Sequence, residues 1–122
     1  MNARFKYVDA TEGIRQLVAE LSNAEHQVKS RDIVFFVHSG KRIHLIGRNA
    51  DPMRSALVRR HSDFTLGYTT EIPYGDPMQD HQVEVVRDHD EHLYFRESGQ
   101  LLSPREFAVK LLNLVAVQAE PA

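Results

Sequence analysis

Two apolar runs separated by a tripeptide constrain this chain more than any other feature of its sequence. Residues 32–38 are DIVFFVH and residues 42–48 are RIHLIGR, with SGK between them. Glycine followed by a polar residue is typical of a two-residue type II′ turn, so the pattern predicts a β-hairpin that turns at Gly40-Lys41. Apolar side chains then lie on both faces of the hairpin. This is typical of strands at the centre of a covered sheet, so Phe36 is expected to be buried.

Three helix starts are visible elsewhere in the sequence. Asp9 stands three residues before Glu12, a capping-box spacing that precedes an apolar stripe at helical intervals. Asp51 followed by Pro52 predicts a second helix, which we expect to end near Arg60. A third helix is predicted near the end of the chain. There the tetrapeptide SPRE supplies an N-cap serine, a first-turn proline and a capping-box glutamate.

Strands account for most of the remaining pattern. Residues 4–8 and residues 64–72 alternate between apolar and polar side chains, and residues 82–87 and 92–96 form a second hairpin. The predicted fold class is therefore α+β, a mostly antiparallel sheet with helices packed on it in the order β-α-β-β-α-β-β-β-α. The first six elements match the ferredoxin-like, or split βαβ, order. The alternative is a single antiparallel meander whose helices cover one face.

Length and composition favour one α+β domain spanning residues 1–122. A chain of 122 residues buries about two-thirds of its unfolded surface, which is enough for a core without metal or disulfides. The chain contains no cysteine, which excludes disulfides, thiolate zinc sites and a cysteine nucleophile. No apolar run approaches the roughly 18 residues of a membrane helix, and no signal-peptide pattern is visible. We therefore expect a cytoplasmic protein without membrane contact and without a cofactor.

The net charge of −2 hides a division along the chain. Residues 29–61 carry eight basic and two acidic side chains, whereas residues 62–97 carry nine acidic and two basic ones. Such asymmetry predicts either an interaction surface or two segments that neutralise each other across one fold. Clustered cations could bind the phosphates of a nucleic acid or of a smaller ligand. The candidate residues for this role are Lys41, Arg42, Arg48, Arg54, Arg59 and Arg60.

Two observations count against nucleic acid as the ligand of this basic segment. On the predicted helix, Arg54 and Arg59 would lie about 140° apart and would not form one stripe. Residues 41–60 also contain no aromatic ring on which a base could stack. A charged helix surface that faces the acidic segment is therefore the alternative, and nucleic acid is disfavoured without being excluded.

Histidine and carboxylate side chains are dense near the second hairpin turn and suggest a divalent-metal site. The candidate ligands are His81, Asp88, His89 and His92, because imidazole and carboxylate groups bind Zn²⁺, Mn²⁺ or Fe²⁺. Their spacing matches no helix-borne metal motif. The alternative is a solvated turn, in which the same residue types are common.

Two further histidines, His38 and His44, flank the first turn. In the predicted register Val37 lies opposite His44, which places the two imidazoles on opposite faces of the hairpin. They are therefore not expected to share a metal ion or a proton. We interpret both as structural histidines.

No catalytic residue is predicted, because the sequence contains no nucleophile elbow and no glycine-rich phosphate loop. The favoured hypothesis is a small non-enzymatic protein-binding or regulatory module with an unidentified protein partner. The final helix is apolar around more than half its circumference, which predicts a homodimer through this helix, with Leu112, Leu114 and Val115 at the interface, through its neighbouring strand, or through both. The alternative is that the second hairpin covers the helix within one chain. The alternatives are a nucleic-acid or phosphate-ligand binder that uses residues 41–60 and a divalent-metal-dependent enzyme that uses residues 80–92.

Overall fold

Strand pairing accounts for most of the regular structure of this protein. The computed structural model describes residues 4–24, 32–48, 54–71 and 79–115. Within these residues the strands are β1 (Lys6–Tyr7), β2 (Ile33–His38), β3 (Arg42–Gly47), β4 (Arg54–Arg60), β5 (Thr65–Glu71), β6 (Gln79–Arg87), β7 (Leu93–Glu97) and β8 (Gln100–Leu102), and the helices are α1 (Ala10–Asn23) and α2 (Pro104–Val115). The predicted α+β class, with a mostly antiparallel sheet and helices packed on it, is confirmed.

The eight strands form one sheet in which every described pair is antiparallel. Seven of them follow the order β2-β3-β4-β5-β6-β7-β8, and β1 pairs with the end of β6. Each of the seven thus lies beside its neighbour in sequence, which is a meander. The ferredoxin-like order is not confirmed, because residues 54–60 form a strand where that order requires a helix.

Both helices pack on the same face of the sheet and contact each other there. The apolar positions of each helix recur at helical spacing, and those of the strands alternate, so each element offers one apolar side to a shared core. None of the described helices is long and apolar enough to cross a membrane. The fully buried side chains of the core include Ile14, Leu17, Leu21, Ile43, Leu45, Val58, Leu66, Val85, Phe95, Phe107 and Leu111.

The cap of α2 has the geometry that its sequence predicts. The Ser103 hydroxyl accepts a hydrogen bond from the backbone N–H of Glu106 at 3.1 Å, and the Glu106 carboxylate accepts one from the backbone N–H of Ser103 at 2.9 Å. We expect Ser103→Ala to lower the free energy of unfolding by about 0.5–2 kcal/mol, because a helix-end amide loses its acceptor. Urea denaturation followed by circular dichroism measures this. An unchanged midpoint would mean that water replaces the cap without cost.

The predicted helix ending near Arg60 is wrong, because this segment is strand β4. Ala56 and Val58 are buried while Ser55 and Leu57 point to the other face, a period of two that strands produce. The Asp51-Pro52 helix start itself lies outside the described residues.

The loop of the first hairpin begins at Ser39, one residue earlier than predicted. Ser39 and Gly40 both adopt left-handed backbone conformations, with φ of 53° and 66°, and the Lys41 amide donates to the His38 carbonyl at 3.0 Å. A three-residue loop therefore replaces the two-residue turn and shifts the pairing register by one position. The hairpin also lies at one edge of the sheet rather than at its centre, and the expected burial of Phe36 is wrong, since this side chain is 51% exposed.

Candidate functional site

One face of the sheet is covered by the helices, and strand β3 places polar side chains on the opposite, open face. Ile43 and Leu45 are fully buried in the core. Because neighbouring side chains of a strand point to opposite faces, Arg42 and His44 project from the open face. We call this surface the open face of the sheet.

Strand β4 adds a second row of polar groups to the open face. Its buried residues are Ala56 and Val58, so Ser55, Leu57 and Arg59 lie on the other side. Arg59 is paired with Arg42 of β3 in the strand register. Two guanidinium groups from neighbouring strands are therefore presented side by side.

The hairpin register brings two histidines to the same open face. His38 is paired with Arg42, and Phe36 is paired with His44, so all four residues share one side of the β2–β3 ladder. The prediction that His38 and His44 point to opposite faces is therefore wrong. Its cause is the extra residue in the turn, since a register shift of one residue exchanges the two faces of a strand.

These side chains surround a cavity of about 750 Å³, which we call the open-face cavity. Sites for small ligands usually have volumes of roughly 300–1,000 Å³, so the cavity is large enough for a ligand of ordinary metabolite size. Its walls combine cationic, imidazole and hydroxyl groups with one aliphatic side chain. The lining residues are His38, Ser39, Lys41, Arg42, His44, Ser55, Leu57, Arg59 and Thr69.

Three of the six cations predicted from the sequence, Lys41, Arg42 and Arg59, meet in this cavity. Arg59 forms an ion pair with Asp80 at 3.6 Å, with both side chains about 40% exposed. Such exposed pairs contribute little stability, so Arg59 can exchange its partner for an incoming anion at low cost. Lys41 and Arg42 form no ion pair with any residue that the structure describes. The cavity therefore has a positive charge that the described part of the protein does not neutralise.

The other three predicted cations lie away from the cavity. Arg48 pairs with Asp32 at 2.6 Å, and Arg60 pairs with Asp63. Arg54 lies on the helix-covered side of the sheet by strand alternation. The nucleic-acid candidates thus divide into one convergent set of three and three dispersed residues.

Gly67 of β5 continues the open face next to the cavity without adding a side chain. It is paired with Arg59, and a Cβ atom at this position would lie 3.4 Å from the Asp80 carboxylate and 3.8 Å from the Arg59 guanidinium carbon. Gly67 itself is buried, because the side chains of Arg59, Asp80 and His61 lie over it and form the floor on this side of the cavity.

An exposed aromatic pair, Tyr7 and Phe64, lies beyond this floor. The Tyr7 hydroxyl donates to the Glu84 carboxylate at 2.9 Å, and the two rings stack with centroids 5.3 Å apart and planes at 27°. The side chains are 55% and 45% exposed. The alternating pattern of residues 64–72 predicts a strand that begins at Phe64, whereas β5 begins at Thr65. No local pattern could have joined the two rings, since the pairing of β1 with β6 brings them together.

The second hairpin turn brings together a different set of metal-ligand types from the one predicted. Asp88, Asp90 and His92 each place one ligand atom within 4.8 Å of the others. Asp88 Oδ1 also accepts hydrogen bonds from the backbone N–H groups of Asp90 at 2.9 Å and of His92 at 3.0 Å. Burial alone would raise the pKa of Asp88, but these two amides, together with the neighbouring His92 and His89, lower the pKa. The hydrogen bonds within the turn therefore account for the position of the Asp88 carboxylate.

The remaining predicted ligands, His89 and His81, do not complete a metal site. His89 lies beside Asp90 at 3.5 Å and is largely exposed. His81 stacks on Tyr68 with ring centroids 4.8 Å apart, in a different part of the sheet. The predicted four-residue set is thus not assembled in the structure.

A polar network that the sequence did not indicate surrounds Tyr68 on the helix-covered side. The Tyr68 hydroxyl donates to both carboxylate oxygens of Glu97, at 2.9 and 2.6 Å, and the Lys110 ammonium donates to the same carboxylate. Burial, followed by the hydrogen bond to Glu97, raises the pKa of Tyr68. Burial alone would raise the pKa of Glu97, but Lys110 and Tyr68, together with His81 at 3.9 Å, lower the pKa.

The apolar side of α2 packs in the core of the same chain. Leu112 and Val115 are fully buried, and Leu114 is partly buried against the core. The stripe is wide because α2 contacts both α1 and the sheet. The reason for expecting these three residues at a homodimer interface therefore does not hold, whereas a homodimer through the neighbouring strand stays a prediction.

Comparison with known proteins assigns no function to this site. The chain matches no protein-family model, no curated protein and no solved structure. Its function therefore has to be inferred from the geometry and the charge of the site itself.

Proposed function

We propose that this protein binds a phosphate-bearing ligand in the open-face cavity. The observation that carries the proposal is the position of Lys41 and Arg42, which lie beside Arg59 without a carboxylate partner among the described residues. Phosphate offers several acceptor oxygens to such donors, and the planar guanidinium group matches two of them at once. Two imidazoles, of His38 and His44, add further donors on the same wall.

The cavity also suits the part of a ligand that carries the phosphate. The hydroxyls of Ser55 and Thr69 can donate or accept hydrogen bonds, and Leu57 supplies an apolar contact on the floor. A volume of about 750 Å³ exceeds what a single phosphate requires. The favoured ligand is therefore an organic phosphate rather than the bare ion.

The hypotheses of a protein-binding module and of a metal-dependent enzyme stay predictions. The sequence assigns no surface to the protein partner, and Leu112 and Val115, predicted at a homodimer interface, are both buried. The metal hypothesis relied on His81, which lies apart from the carboxylates of the second turn. Neither hypothesis gains a specific supporting contact.

Titration with inorganic tripolyphosphate, followed by isothermal calorimetry, tests the proposal. We expect binding that weakens as the salt concentration rises, because dissolved ions screen the attraction between the cationic side chains and the phosphates. Arg42→Ala should weaken binding about tenfold or more, since a charge-assisted hydrogen bond contributes about 1.5–3 kcal/mol. Arg105→Ala is the matched control. It removes the same charge from the exposed start of α2 and should leave affinity unchanged.

Two results would refute the proposal. One is the absence of any tripolyphosphate binding at low salt. The other is an equal effect of Arg42→Ala and Arg105→Ala, which would show that only net charge matters. Arg59→Ala should give a smaller loss than Arg42→Ala, because Asp80 already competes for the Arg59 guanidinium in the free protein.

A further inference from the structure

We infer that the ligand is a single-stranded nucleic acid, whose phosphates bind in the open-face cavity and whose bases stack on the Tyr7–Phe64 pair. This inference rests on the proposed function, because the cavity supplies its phosphate contacts. It adds a second site that uses different residues and different chemistry.

The two sites lie on one continuous surface. Gly67, paired with Arg59 at the edge of the cavity, is three residues along the chain from Phe64. At about 3.3 Å per residue in extended chain, this separation is roughly 10 Å. Between them the Arg59–Asp80 ion pair covers the buried Gly67, so a guanidinium group lies on the path from the cavity to the rings. An extended strand of a few nucleotides can therefore contact the cations and the aromatic pair together.

The aromatic pair has the properties of a stacking platform. Its two rings already stack on each other, and each leaves about half of its surface exposed to solvent. The Tyr7 hydroxyl is held by Glu84, and Glu84 is held in turn by Arg96 at 2.9 Å. The ring is thus oriented before any ligand arrives. A base can add to the stack without a sequence requirement, since every base has a π face.

The charge of the open face also suits a polyanion. Lys41, Arg42, Arg59 and Arg96 project from it, together with the carboxylates of Asp80 and Glu84. Among the side chains that the structure describes, Asp80 and Glu84 are each matched by an arginine, which leaves Lys41 and Arg42 without a carboxylate partner. The ring of Phe36 is also 51% exposed, and Phe36 is paired with His44 at the cavity. Aromatic rings therefore lie on both sides of the cationic centre.

Single strands fit this arrangement better than the other polyanions. In a duplex the bases are already stacked and paired, so the exposed rings would gain nothing. A phosphorylated or acidic peptide would use the cations but would leave the Tyr7–Phe64 pair without a role. Of these three polyanions, the unpaired nucleic acid strand is the one that uses both features.

Fluorescence anisotropy with ten-nucleotide oligomers of uridine and of thymidine tests the inference, with tripolyphosphate as the base-free probe. Phe64→Ala should weaken binding of the oligomers by roughly fivefold to a hundredfold, the effect expected from the loss of one stacked base. Its affinity for tripolyphosphate should match that of the wild type. Leu101→Ala, which removes another exposed apolar side chain from the same face, is the control and should change neither affinity. Circular dichroism verifies that both variants fold.

The outcomes separate this inference from the proposed function. If Phe64→Ala binds the oligomers as tightly as the wild type while Arg42→Ala loses both probes, the stacking site is wrong and the phosphate site stands. If Arg42→Ala changes neither probe, the proposed function fails and the inference fails with it. A wild-type protein that binds tripolyphosphate and a phosphopeptide but neither oligomer also overturns the inference. Binding of either oligomer that depends on Phe64 supports it.

Discussion

Replacing Phe107 by alanine is expected to lower the free energy of unfolding by about 3–5 kcal/mol, the usual cost of removing a buried aromatic ring. Phe107 is completely buried and contacts two other rings, those of Phe95 at 4.8 Å and of Tyr68 at 5.6 Å between centroids. The ring joins α2 to strands β5 and β7. Its loss would leave a cavity in the most aromatic part of the core, which the surrounding backbone can fill only partly.

Phe36→Ala is the matched comparison, since it removes the same ring from a side chain that is 51% exposed. We expect it to cost less than about 1 kcal/mol, in the range of ordinary surface substitutions. Urea unfolding monitored by circular dichroism measures both variants. Equal losses for Phe36→Ala and Phe107→Ala would contradict the hairpin register described above and would place Phe36 in the core.

The elements that could be predicted from sequence are those whose signals are local. Helix α2 begins at Pro104 because Ser103 and Glu106 cap each other, and this information is contained in four consecutive residues. The start of α1 is similar, since Asp9 Oδ1 accepts a hydrogen bond from the Thr11 amide at 2.7 Å. The sequence therefore predicts both N-cap residues correctly. The reciprocal capping box forms only at α2, because the Glu12 carboxylate accepts hydrogen bonds from Arg15 and Gln16 instead.

Strand β4 could not be predicted in this way, because its conformation depends on its neighbours. The segment is paired along its length with β3 on one side and β5 on the other. Its apolar pattern is short, and Ala56 with Leu57 is compatible with either a helix or a strand. Pairing on both edges decides between them. Strand β8 is similarly short, and it follows a tight turn in which Ser98 and Gly99 have φ of 51° and 81°.

The candidate site depended on the least predictable feature of all, the register of one hairpin. A turn at Gly40-Lys41 separates His38 from His44, whereas the observed loop brings them together beside Arg42. One residue in the turn thus decides whether the cavity has two imidazoles on its wall. Local propensity barely distinguishes the two turns. The helix assigned to residues 52–60 had the same consequence for Arg59, which only a strand places beside Arg42.

The second large effect is expected at Glu97, which links three elements through one carboxylate. Tyr68 of β5 and Lys110 of α2 both donate hydrogen bonds to Glu97 of β7. Replacing Glu97 by alanine leaves the buried Tyr68 hydroxyl without its acceptor. We therefore expect a loss of about 1.5–3 kcal/mol in the free energy of unfolding at pH 7, the range for hydrogen bonds to charged groups. Lys110 contributes less of this loss because its side chain is 42% exposed.

The contribution of Glu97 to stability is expected to decrease as the pH falls. Lys110 and Tyr68 hold the pKa of Glu97 below its ordinary value of 4.5 in the folded protein, against the opposing effect of burial. A carboxylate with a lowered folded pKa stabilises the protein fully above its unfolded pKa, and this contribution is lost as the pH falls through the folded pKa. The wild type should therefore lose stability as the pH falls from about 5 to about 3, and Glu97→Gln should lose less over the same range.

Glu91→Gln is the matched control for this titration, because it removes an exposed carboxylate that has no side-chain hydrogen bond among the described residues. Its stability should follow that of the wild type across the whole pH series. Urea midpoints at pH 7, 5, 4 and 3 for the three proteins provide the comparison. If the stabilities of Glu97→Gln and the wild type change in parallel with pH, the pKa of Glu97 is the same in the folded and the unfolded protein. Tyr68 and Lys110 would then contact Glu97 without stabilising its charge, and the attachment of α2 to β7 would depend on apolar packing alone.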